Sequence, residues 1–431
     1  MTRSGSMWRR GFVLAASLAL LVSAAAPAAT VAQDEETLEP VNIMHYFTAE
    51  FGEATFKKLL GEYMEETGRQ VNINLVPHEG YKPAILIQLA GGNPPDFFTD
   101  WAGARAALKA DNGMLADIGD MWEANDLDSA FPAGMIETAA TYNGTKHELP
   151  LNYHVAAMWY SPEVMSAAGV EIPTTWDELK SACETLKGAG VTPFALGSKD
   201  RWPAQFWFDY ILLRTAGAEY RAKLMTGDAS YTDPEVVKTM ELWAELASVG
   251  CFNEDANAKT YNEAADMVAN GDAAMTLMGT WIVGYWTPAE NPLEPLTDYD
   301  LFEFPVIDDS MPSAVVGPVD SLSVSAGASN LEGAKDLLAF FARPEVQAEW
   351  AAGQGALPAN VNAESPANPT LVKALELAGA DTYNFNYDLA TPGGPAEVGL
   401  DMFQKFINDP SNVGGLMEET QAAMAEAFAN E

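Results

Sequence analysis

The chain has 431 residues, 61 acidic against 23 basic, for a formal charge of −38, and 48% of it is hydrophobic. Such an acid excess excludes a nucleic-acid surface, which depends on neutralising phosphates with Lys and Arg, and gives no help to anionic solutes. A neutral or cationic ligand is expected, although an acidic surface also serves solubility alone.

Arg3, Arg9 and Arg10 precede an apolar run from Gly11 to Val22, and small residues follow through Ala24–Ala32. These are the n-, h- and c-regions of a secretory signal over 1–32, with cleavage expected after Ala32. The run is too short for a membrane span, and no other stretch approaches the roughly 18 apolar residues a spanning helix needs. Without the signal's three basic residues the balance is 20 minus 61, or −41. The mature chain reads as soluble and exported. Neither cysteine lies near the cleavage site, so the expected product is free rather than lipid-tethered. About 400 residues remain, more than one core usually holds, and two or more domains are expected.

After an acidic leader, Val41–Phe47 alternates like a strand and Glu53–Thr67 carries apolar residues at helical spacing before Gly68. Val71–Val76 reads as a strand, Tyr81–Ala90 as a helix and Pro95–Phe98 as a third strand. Strand and helix alternating at this pitch predict βαβ units and a mainly parallel sheet, whose ligands sit beyond the carboxyl ends of the strands. Asn143-Gly144-Thr145 matches a glycosylation sequon but is better explained as a turn. Thr174 and Thr175 before Trp176-Asp177-Glu178 predict a helix start with Trp176 in the core. Beyond Pro150 the pattern is more helical, over Thr175–Ala189, Ala204–Gly217, Glu235–Val249 and Asn262–Asn270. A strand Ala273–Met278 runs into Gly279-Thr280-Trp281, with Tyr285 and Trp286 assigned to the core. An acidic, Pro-rich passage, Thr287–Pro312, reads as loop and strand. Ser321–Ser325, helices over Leu331–Ala342 and from Pro344, and a helical part from Leu400 complete the chain. No repeat or low-complexity linker divides it.

Cys183 and Cys251 either pair across docked helices, as an oxidising compartment allows, or remain two buried thiols. His45, His78, His147 and His154 are scattered without paired-ligand spacing, so neither a metal nor a cofactor is expected.

One segment joins several of these signals: Leu149–Leu179 packs an apolar strand, a Tyr-Ser-Pro turn, a short helix and the Pro-Thr-Thr-Trp-Asp helix start. It resembles the hinge-crossing strand of extracytoplasmic sugar-binding proteins that feed ABC importers, solute-binding family 1. The resemblance continues through Lys199-Asp200-Arg201-Trp202-Pro203, Tyr231-Thr232-Asp233-Pro234 and Asn270–Met275. It extends to Pro318-Val319-Asp320-Ser321, to Gly355–Asn360, and to Asp388 before Thr391-Pro392. Each piece alone is weak, but their order and spacing are specific. The similarity is to maltose-binding protein and, more closely, to the branch serving α-glucosides and small sugars.

The resemblance implies a two-lobed α/β periplasmic-binding-protein fold, each lobe a mainly parallel sheet flanked by helices, closing over a sugar. It sets hinge crossings near Asn152–Val155, Gly317–Asp320 and Ala356–Pro358. The N-lobe is then 41–152 plus 321–356, and the C-lobe 153–320 plus 357–431. It also implies a periplasmic monomer that delivers a neutral mono- or oligosaccharide to membrane permease subunits.

A pyranose has apolar C–H faces and a rim of hydroxyls, so its site needs flat aromatics and planar or charged hydrogen-bonding groups. Strand ends and crossings offer that mixture. Tyr46 and Phe47 follow the first strand, and Asp100 and Trp101 end the third. Asn152, Tyr153 and His154 lie on the first crossing. Trp202 follows a charged loop, and Trp281 follows two small residues that leave its ring room. Asp320, Asn360 and Asp388 complete the ligand set by analogy with relatives. Where relatives often carry a basic residue after the last acid, Leu389 stands here.

Two rivals share this composition. A glycoside hydrolase needs two carboxylates at fixed separation, for which Asp320 and Asp388 are a conceivable pair, but no catalytic residue is assigned. A binder of a polyamine or osmolyte also suits the acidic surface.

Overall fold

The structure, a computed structural model, describes residues 38–49, 52–287 and 292–431. The signal assigned to 1–32 lies outside them. Two sheets organise the rest. The six-stranded sheet runs, in spatial order, Leu357–Pro358, Glu148–Tyr153, Val319–Val324, Phe97–Trp101, Val41–His45 and Val71–Leu75. The four-stranded sheet runs Asp300–Phe302, Ala156–Tyr160, Ala273–Gly279 and Thr192–Phe194.

The α/β class is as expected, but strand direction is mixed rather than mainly parallel. Val41–His45 pairs parallel with both Val71–Leu75 and Phe97–Trp101, as the strand-helix alternation requires. Val319–Val324 instead lies antiparallel to Phe97–Trp101 and to Glu148–Tyr153. The reason is topological: strands that pass between the sheets enter the first one against the direction set by its βα units. In the second sheet only Thr192–Phe194 pairs parallel with its neighbour.

Each sheet has its own apolar core. Phe56, Leu60, Phe97, Leu149, Leu322, Phe341 and Trp350 belong to the first, and Met158, Trp159, Trp207, Leu212, Trp243 and Met275 to the second. Trp159, Trp243 and Trp350 are among the largest fully buried side chains, so truncating any of them should cost roughly 3–5 kcal/mol. Trp176 and Trp286 are buried as expected. Tyr285 packs against the second core but is only half-buried, and its hydroxyl donates to Asp266 Oδ1 at 2.9 Å.

Local chemistry sets the element ends. Thr175 and Glu178 form a reciprocal capping box at the start of helix Trp176–Gly188. The helix expected from Tyr81 starts earlier, at His78, behind Pro77. The helix expected to stop at Gly217 bends there, with φ 78°, and resumes to Met225. Asn143 and Gly144, both at positive φ, make the two-residue turn between Thr141–Tyr142 and Thr145–Lys146.

Cys183 and Cys251 are bonded, with 5.6 Å between their Cα atoms. The bond ties helix Trp176–Gly188 to the end of helix Pro234–Val249.

The chain passes between the sheets where three segments touch. Tyr153 pairs with both Val319 and Leu357, and the His154 N–H donates to Pro318 O at 3.1 Å. The Tyr383 hydroxyl donates to both His154 O, at 2.7 Å, and Pro318 O, at 3.0 Å. Gly317 is required here, because a Cβ on it would lie 1.8 Å from His154 O.

Candidate functional site

A cavity of about 60 Å³ lies between the two cores, beside these crossings. One wall comes from the first sheet. Tyr46 leaves the end of Val41–His45 and stacks on Trp101, with ring centroids 4.4 Å apart and planes 22° off parallel. Lys82, on helix His78–Ala90, places Nζ 5.2 Å from the Trp101 ring centroid. The opposite wall comes from the second core. Trp281 sits edge-on to His154 at 5.1 Å, with Trp202 and Phe206 at 5.8 and 6.0 Å. Gly279 gives the Trp281 ring its place, since a Cβ there would lie 2.0 Å from it.

The floor is a hydrogen-bond hub on the crossings. Asp320 accepts from Tyr46 Oη at 3.0 Å and from Asn152 Nδ2 at 2.8 Å, and it lies 3.2 Å from His154 Nε2. A register shift between Asp320 and Ser321 interrupts the ladder at this point, the kind of irregularity that re-aims a side chain. His154 Nδ1 lies 2.7 Å from Thr280 Oγ1, and Asn152 Oδ1 accepts from Trp350 Nε1 at 2.6 Å. The hub therefore runs from the first core to the strand end that carries Trp281. Burial, followed by the neighbouring Asp320 charge, holds the Tyr46 phenol well above its ordinary pKa, so it stays a donor.

Asp388 closes the cavity through an ion pair with Lys82. It also accepts from Asn386 Nδ2 at 2.6 Å, while its own N–H donates to Gln205 Oε1 at 2.9 Å. Burial pushes this carboxyl up, but the Lys82 and Arg105 charges outweigh it and hold the pKa below the usual value. Arg105 Nε donates to Asp388 O at 3.2 Å. Beside it, Glu397 bridges Arg105 and Arg201 at 3.0 and 2.6 Å. Trp202 Nε1 donates to Glu79 Oε1 at 3.3 Å.

Seven of the twelve residues expected at the ligand line this cavity: Tyr46, Trp101, His154, Trp202, Trp281, Asp320 and Asp388. Five do not. Phe47, next to Tyr46, turns into the core against Phe56 and Trp350. Asp100 is paired with Lys109 at 2.7 Å, both buried. Asn152 stands behind Asp320 as its support. Tyr153 points to the opposite side of its strand, as the pleat dictates for a residue between Asn152 and His154, and lines a separate groove with Tyr383 and Phe385. Asn360 lines that same groove and spends its side chain on Ala342 O at 2.9 Å.

Sequence reasoning missed His78, Lys82, Gln205, Phe206, Gln354 and Asn386, all of which line the cavity. His78 and Lys82 lie in the first turns of a helix expected to begin at Tyr81. Gln354 immediately precedes Gly355 and the third crossing, and Asn386 lies two residues before Asp388; those positions were the available signal. Among the described residues no group of three or more His, Cys, Asp or Glu is placed to hold a metal, and no helix is long and apolar enough to cross a membrane.

The sequence profile of bacterial extracellular solute-binding proteins matches residues 49–348. The chain is 30% identical over 343 residues to the ABC transporter extracellular-binding protein PH1214 of Pyrococcus horikoshii, covering 78% of this chain and 74% of that protein. It is also 30% identical over 211 residues to the alpha-glucosides-binding periplasmic protein AglE of Rhizobium meliloti, covering 46% and 45% of the two chains. Among solved structures, the bacterial solute receptor AcbH, with an exclusive preference for β-D-galactopyranose, superposes with a TM-score of 0.84. It is 25% identical, over 90% of this chain and 99% of that one.

Proposed function

The chain belongs to the bacterial extracellular solute-binding protein family, and from that premise we propose that it captures a neutral saccharide outside the cytoplasm and presents it to the permease subunits of an ABC importer. The observation that carries this reading is the composition of the cavity wall. Stacked Tyr46 and Trp101 face one side, Trp202 and Trp281 the other, and Asp320 and Asp388 reach the lining between them. Flat rings suit the C–H faces of a sugar, and carboxylates suit its hydroxyls. Relatives named for sugar binding support the ligand class.

The same proposal includes secretion through the signal at 1–32, a monomeric mature form, and lobes at 41–152 plus 321–356 and 153–320 plus 357–431. Ligand binding favours closure only through contacts made better in the closed form than in the open one. Proteins of this family are receptors rather than enzymes, and Asp388 in particular does not suit the general-acid role of a glycosidase. A glycosidic general acid needs a raised pKa, whereas Asp388 is held low by Lys82 and Arg105. Lys82 pairs with Asp388, which leaves that carboxylate already engaged and less available to a polyamine.

Calorimetric titration against neutral sugars and against spermidine tests the proposal. Saturable heat from a sugar and none from spermidine is the expected result; the reverse, or turnover of a glucoside during incubation, defeats it.

A further inference from the structure

Three side chains in the cavity lining carry polar atoms with no protein partner: Gln354 Oε1, Asn386 Oδ1 and Trp281 Nε1. Their residues are only 3%, 6% and 7% exposed. A buried polar atom left unpaired is costly, and native structures keep few of them. These three also differ in kind: two accept and one donates.

Resting on the sugar-binding reading above, we infer that the cleft is built for a single neutral monosaccharide ring, with Gln354, Asn386 and Trp281 Nε1 selecting its hydroxyls. The ligand must bring at least two donors and one acceptor, since Lys82 already pairs with Asp388 and Asp320 already accepts from Tyr46 and Asn152. A cation supplies donors but leaves the Trp281 N–H unmet. A carboxylate or phosphate supplies acceptors but leaves two oxygens unmet. A ring bearing several hydroxyls supplies both, since each hydroxyl donates once and accepts twice.

Size and closure limit the ligand to one ring. The cavity of about 60 Å³ has room for roughly four to six waters at about 10–15 Å³ for each water-sized sphere, so a single ring already needs the walls to part and a second ring needs more. Three sets of contacts tie the two sides together near it: the Lys82–Asp388 pair, the Trp202–Glu79 hydrogen bond, and Glu397 joining Arg105 to Arg201. A second sugar ring between the walls competes with these contacts, which disfavours an oligosaccharide.

Calorimetry on the mature protein with D-glucose, D-galactose, D-fructose and D-xylose, and with maltose, sucrose and raffinose, tests the inference. At least one monosaccharide should bind 100-fold or more tightly than every di- and trisaccharide. If an oligosaccharide binds as tightly as the best monosaccharide, the single-ring inference is overturned while the sugar-binding reading stands. If no sugar in the panel gives saturable heat, both fall together. Gln354→Ala and Asn386→Ala, checked for native circular dichroism, should each weaken the best monosaccharide at least tenfold. Gln354→Glu, which keeps an acceptor there, provides a second test should the alanine variant unfold. Affinity within twofold of wild type in a folded Gln354→Ala or Asn386→Ala overturns that residue's role, and tenfold weaker binding by folded Gln354→Glu overturns the acceptor role given to Gln354.

Discussion

Lys82, from a helix against the first sheet, and Asp388, on the short helical turn Tyr387–Ala390, meet as an ion pair across the cavity mouth. Tyr387 packs in the second core and Leu389 in the first, so the turn carrying Asp388 is itself shared between the halves.

Lys82→Met removes the partner of a buried carboxylate that retains Arg105 and Asn386 nearby. Removing one member of a fully buried pair costs about 3–5 kcal/mol; with Lys82 side chain 25% exposed, a smaller loss is expected here. The closed form should lose most of it. A larger radius of gyration for the ligand-free variant in small-angle scattering, with sugar affinity reduced about tenfold or more, is the expected outcome.

The same pair sets a pH window. Because the folded-state pKa of Asp388 is held below its ordinary value, its contribution to stability is present above the unfolded carboxylate pKa of about 4 and is lost as pH falls through the lower folded value. Thermal stability attributable to Asp388 should therefore be flat from pH 8 to 5 and fall below about pH 4. The loss should be shallower in Asp388→Asn, and melting curves across this range for both proteins measure it.

Gly279→Ala is expected to act on the ligand through Trp281. Its added Cβ falls on the ring position, so the ring must leave the wall it shares with Trp202 and Phe206. Sugar binding should weaken by about 1–3 kcal/mol, the range for losing a stacked aromatic, and Trp281→Ala should do the same. The double variant should be no worse than either single one. Additive losses in calorimetry would separate the two effects and defeat the explanation.

Much of the architecture was legible because periodicity and caps are local. The capping box at Thr175 and Glu178 and the turn at Asn143-Gly144 are decided by residues a few positions apart. Facing was harder. Tyr46 and Phe47 are neighbours of similar chemistry just past the end of strand Val41–His45, yet one reaches the cavity and the other the core, and no strand periodicity extends to them to say which. Alternation along the strand separates Tyr153 from Asn152. Asp100 was misread because its partner Lys109 comes from the following helix, and a side-chain pair formed by tertiary packing leaves no spacing signal. Gln354 and Asn386 are ordinary polar residues whose only sequence signal is their place beside Gly355 and Asp388; burial without protein partners is what the structure adds.

The Cys183–Cys251 bond closes a loop with a sequence separation of 68 residues, so by loop-closure entropy its removal costs about 4 kcal/mol. It lies within the second core, and neither cysteine lines the cavity. Reduction, or the paired Cys183→Ser and Cys251→Ser change, should lower the urea midpoint substantially while leaving sugar affinity within about twofold at temperatures where the protein stays folded. A large affinity loss in a folded, reduced protein would show that the bond sets the geometry of Trp281 and Trp202 through the shared core, rather than acting on the unfolded chain alone.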